Sequence, residues 1–63
     1  MATWTVKIKR GISGKVPAGY VVTNLVTQQR AKSYPELRKR LEKEFGRLDG
    51  GWEHDGVCEW TEQ

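Results

Sequence analysis

The chain has little sulfur, little histidine and few acids in its first two thirds, and each scarcity closes off a class of function. A lone cysteine, Cys58, cannot form an internal disulfide, so the fold must stand on packing and a reducing, cytoplasmic setting is expected. No apolar run approaches the roughly 20 residues that a membrane span needs. The opening MATWTVKIKR is charged by its seventh residue, unlike a signal peptide, so a soluble protein with no membrane partner is expected. Sixty-three residues make one domain, which buries only about 60% of the surface its unfolded chain exposes. That leaves little material for a deep, water-excluding pocket, and no small-molecule substrate is expected.

Charge is divided unevenly. Residues 1–40 carry nine Lys or Arg against Glu36 alone, a balance of +8, whereas residues 41–63 carry Lys43 and Arg47 against seven acids, a balance of −5. The basic half could bind a polyanion, or the two halves could pair within the fold.

TWTVKIK (3–9) alternates, with Trp4, Val6 and Ile8 on one face and Thr5, Lys7 and Lys9 on the other, the period of a half-buried strand. GISGKVPAG (11–19), with three glycines and a proline, reads as a loop. Its Gly11, Gly14 and Lys15 fall short of a phosphate loop, with two residues between the glycines instead of four and Val16 where Ser or Thr would hold magnesium. A plain hairpin connection is expected. YVVTNLVT (20–27) is a second, β-branched strand whose two sets, Tyr20, Val22, Asn24, Val26 and Val21, Thr23, Leu25, Thr27, are both partly apolar.

After the polar stretch QQRAK (28–32), Ser33 and Glu36 have the spacing of a capping box, with Pro35 in the first helical turn. Tyr34, Leu37, Leu41, Phe45 and Leu48 then form one apolar stripe, with Gly46 as a C-terminal stop. DGG (49–51) turns the chain. Extended over 52–61, the next segment puts Trp52, His54, Gly56, Cys58 and Trp60 on one face and Glu53, Asp55, Val57, Glu59 and Thr61 on the other. A hairpin turning at Asp55-Gly56 would mix charges with aromatics, so a single third strand, bulged at Gly56, is the expectation.

A right-handed crossover then gives an α+β fold: β-β-α-β, a three-stranded antiparallel sheet of order 2-1-3 with the helix on one face. On such a strand His54 and Cys58 point inward while Asp55 and Glu59 point outward, so the four cannot share a metal ion. His54 and Cys58 would lie about 13 Å apart, too far for a nucleophile and its base. Glu53 and Glu59 would sit in open water with ordinary acidity. No enzyme activity, metal or cofactor is expected. Lys7 and Lys9 would instead meet Glu53, Asp55 and Glu59 across the sheet, which absorbs part of the charge asymmetry.

Two features are left over. One helix covers one sheet face, yet the second strand is apolar on both. Tyr20, Val22 and Val26, with Val57, are therefore candidates for an exposed contact face beside a free edge, to be met by another protein or by a second copy of the chain. The opposite set, Val21 and Leu25, is the other orientation of the same strand. Lys39, Arg40, Lys43 and Arg47 form a basic ridge on the helix that, with Arg30 and Lys32, could hold nucleic-acid phosphates. The ridge lacks aromatics for base stacking. A small protein-binding or regulatory module is the leading expectation, with a nucleic-acid binder as the alternative.

Overall fold

Strand β1 (Ala2–Ile8) forms where the alternation predicts, and Val6 and Ile8 are completely buried beneath it. In the computed structural model, which describes residues 2–28 and 31–63, β1 is followed by β2 (Val21–Thr27), helix α1 (Tyr34–Phe45) and β3 (Cys58–Glu62). The sheet has the expected order, β2-β1-β3, with both pairs antiparallel. Trp60 stands opposite Val6 and Cys58 opposite Ile8, so β3 sends these two inward and Glu59 and Thr61 outward.

The expected choice between two faces for β2 is replaced by a switch within the strand. Val6 pairs with Val22 and Trp4 with Leu25, so Thr23 and Asn24 together oppose Thr5. This is a β-bulge, and Asn24 takes the left-handed backbone (φ 57°) that Asn tolerates better than β-branched residues do. Before the bulge Val22 points into the core, and after it Leu25 and Thr27 do, at 3%, 3% and 2% exposure. A strand that looks apolar on both faces thus places its apolar residues mostly on one.

The 9–20 connection is more than a loop. Ser13 (φ 51°) and Gly14 (φ 66°) supply the two positive φ angles of a tight turn, and Ile12 bridges Val16 across it. Both bridging side chains are buried in the main core.

Helix α1 begins after Ser33 and ends at Gly46, whose N–H still bonds back to the Glu42 carbonyl at 2.9 Å while its φ of 82° turns the following chain out of the helix. The expected capping box is absent: the Ser33 side chain caps nothing, and Glu36 faces Lys39 instead. Leu37, Leu41 and Leu48 pack fully into the core against Val22 and Leu25, while Phe45 meets Tyr20 edge-to-face at 4.9 Å. Tyr34 and Trp4 each meet Trp60 edge-to-face, which closes the far end of the inner face.

The third strand is shorter than expected. Trp52 is buried, but the chain then turns at residues 54–57 with Val57 and Cys58 N–H groups both donating to the His54 carbonyl. Neither one long strand nor an Asp55-Gly56 hairpin forms. His54 lies exposed in this turn, its Nδ1 accepting from the Gly56 N–H, and a Cβ at position 56 would come within 2.8 Å of the imidazole. Val57, expected outside, is buried, and its carbonyl accepts from Lys9 N–H.

Candidate functional site

Strand β2 is one of two free edges of the sheet, and its bulge determines what it shows to solvent. Among the described residues the exposed large apolar side chains are Val21 (45%) and Val26 (49%). Both belong to β2, on either side of the bulge and on the face turned away from α1. Of the expected contact residues, Val26 alone is exposed on this face. Val22 and Val57 are core residues, and Tyr20 is half-buried against Phe45. The broad apolar face expected from the sequence is therefore reduced to two valines. The rest of that face is Thr3, Thr5 and Lys7 from β1, Thr23 from β2, and Glu59 and Thr61 from β3. Gln63 also reaches over β1, its side-chain oxygen accepting from the Asn24 N–H at 3.1 Å.

The basic residues of the helix and its surroundings play different parts. Arg38 is structural: it donates to Glu42 (3.3 Å), to the Leu48 carbonyl (2.9 Å) and to Glu53, and its guanidinium lies 5.4 Å from the centre of the Trp52 ring. The hydrogen bond to Glu53, more than any other contact, raises its already high pKa. Lys32 pairs with Asp55 at 3.3 Å, and Lys15 donates to the Arg47 carbonyl at 2.6 Å. Glu53 and Asp55 thus meet cations from the helix and its approach, where cross-strand pairing with Lys7 and Lys9 was expected. Lys7 does stand directly opposite Glu59.

Arg40 leaves the expected ridge and turns toward the sheet. Its guanidinium donates to the Thr23 carbonyl at 2.9 Å and, more weakly, to the Asn24 carbonyl at 3.4 Å, the two residues of the bulge. Lys39 and Lys43 remain exposed on the helix at a spacing of four, whereas Arg47, expected on the same ridge, is exposed beyond the Gly46 cap and outside the helix. Arg30 lies outside the described residues.

Between α1 and β2 runs an open groove of about 300 Å³, lined by Asn24, Leu25, Val26, Glu36, Lys39, Arg40 and Lys43. Its strand side carries Asn24, Leu25 and Val26, and its helix wall carries three cations and one acid. Sequence reasoning identified the cations but not the groove, because the bulge that brings Arg40 to the strand breaks the period-two pattern.

Cys58 and His54 lie in different surroundings. The Cys58 thiol is buried, with its sulfur 3.8 Å from the Trp52 carbonyl, whereas the His54 imidazole is turned out to Gly56. Burial pushes the Cys58 pKa up to about 11, and nearby Asp55 adds to the effect. Burial also raises Tyr34, whose hydroxyl donates weakly to Asp55 at 3.4 Å. Among the described residues no cluster of His, Cys, Asp or Glu is placed to hold a metal ion, and no helix is long and apolar enough to cross a membrane. No protein-family model, no curated protein and no solved structure matches the chain.

Proposed function

We propose that this protein is a non-enzymatic binding module that takes up a segment of another protein along β2 and the groove beside it. The observation that carries the reading is the coincidence on one free edge strand of the two exposed large apolar side chains among the described residues, Val21 and Val26. Apolar side chains next to unpaired strand backbone are what strand addition uses, with main-chain bonds giving affinity and side-chain contacts giving selectivity. A second copy docked β2 to β2 is disfavoured by charge, since it would bring Lys39, Arg40 and Lys43 of both copies together. The partner is therefore a different protein.

Peptides selected from a random display library on the immobilised protein test this reading. Selected peptides should lose binding to the Val21→Lys and Val26→Lys variants, while the thermal unfolding of those variants stays close to wild type, because both sites already face water. Val22→Lys should unfold the domain by burying an unpaired charge. Selected peptides that bind regardless of Val21 and Val26 would exclude β2 as the site. The exposed cations Lys39 and Lys43 on the helix, with Arg47 beyond its end, support a second reading, phosphate binding to nucleic acid. Tight, salt-sensitive binding of a mixed-sequence duplex that disappears when these three become Glu would favour it.

A further inference from the structure

We infer that the segment taken up at β2 is extended and acidic, and that Arg40 is the latch it displaces; this rests on the reading that β2 is the binding edge. Edge carbonyls need a donor, and water would serve at an exposed strand. At the bulge, however, Thr23 and Asn24 receive the Arg40 guanidinium from across the groove. A bulge combined with a charged group on the edge is how sheets block unwanted pairing. In the free protein, Arg40 keeps β2 from adding a strand indiscriminately.

An arriving chain must replace those charge-assisted bonds. A neutral strand could offer its N–H groups to the two carbonyls but would leave the guanidinium without a partner. A strand with carboxylate side chains supplies both halves of the exchange: its N–H groups take the Thr23 and Asn24 carbonyls, and a carboxylate takes Arg40. The surroundings favour the same sign. Lys39 and Lys43 share the groove wall with Arg40, and the one acid there, Glu36, already has Lys39 at 3.8 Å. Val21 and Val26, exposed on the sheet face away from α1, offer apolar contacts to the alternate side chains of such a strand. The geometry therefore selects alternating apolar and acidic residues.

The experiment titrates the full ¹⁵N-labelled chain with a synthetic peptide of alternating Val and Glu, and with its Gln-for-Glu counterpart. The acidic peptide should shift the amide signals of residues 23–26 and the Arg40 Nε–H signal, and should bind roughly tenfold or more tightly than the neutral one. Added salt should weaken it. In Arg40→Ala, checked for folding by circular dichroism, the neutral peptide should gain affinity and the preference should shrink. Lys43→Glu, an exposed change, should weaken the acidic peptide alone. Equal binding of both peptides at residues 23–26 would overturn the acidic latch while leaving β2 as the edge. No shift at residues 23–26 with either peptide would overturn both. A sedimentation mass that grows with concentration, without peptide, would make a second copy the occupant and overturn the inference as well.

Discussion

At the scale of single residues, Cys58 shows how burial turns a reactive group into packing. The residue is 1% exposed and its pKa is raised to about 11, so at neutral pH almost no thiolate forms to attack a substrate, a metal or another thiol. Thiol-reactive dye at pH near 8 should therefore label the native protein only as fast as it unfolds, and prompt labelling would contradict this burial. The same shift fixes a pH dependence. Below the ordinary cysteine value both folded and unfolded chains keep the proton, and the group has no effect on stability. As pH rises through about 9 toward 11 the unfolded chain loses its proton first, so stability falls. Denaturant midpoints measured over that range should decline, and Cys58→Ala should flatten the part of the decline that belongs to this group. Tyr34, also raised by burial, acts in the same sense at higher pH.

At the scale of secondary-structure elements, the bulge in β2 is the main difference between what the sequence predicts and what the chain does. Two elements were legible: alternation located β1, and the apolar stripe between Ser33 and Gly46 located α1, although its last member, Leu48, lies past the helix end. The faces of β2 were not, because counting by two assumes an unbroken strand and Asn24 breaks it. Its one signal was an Asn, a residue at home in left-handed backbone, inside an otherwise β-branched run. Asn24→Gly should accordingly be tolerated, whereas Asn24→Val should cost about 1–2 kcal/mol. In a domain this small that lowers Tm by roughly 4–8 °C for each kcal/mol. Equal melting of the two variants would mean that the bulge does not depend on this backbone angle. The 52–57 segment misled for a different reason: its alternating pattern is genuine, but an exposed turn accommodates His54, Asp55 and Gly56 without needing a sheet partner. The groove was hidden for the same reason as the bulge that forms it.

At the scale of the whole molecule, the acidic and basic halves do meet, through the helix and the 46–57 segment more than across strands. Arg38 is the centre of this arrangement, tying α1 to Glu53 and to the Leu48 carbonyl while lying over Trp52. Those bonds hold in place the segment that carries buried Leu48, Trp52 and Val57, so this part of a small core depends on one guanidinium. Arg38→Ala should lower Tm by several degrees, and Lys39→Ala, one position along and outside this network, should leave it almost unchanged. Calorimetry of the two variants checks the contrast, and equal melting would rule out the tie. The strand order was legible from connection handedness and strand count, while this tie was not, since it depends on where a segment without regular structure returns to the helix. One further consequence concerns the length of the chain. Val22 and Leu25 reach their partners with a residue to spare between them, so the ladder would close just as well if that stretch were one residue shorter. Removing a residue elsewhere in β2 would invert every side chain beyond the cut; here, and nowhere else along that strand, the chain can shrink without turning its core inside out.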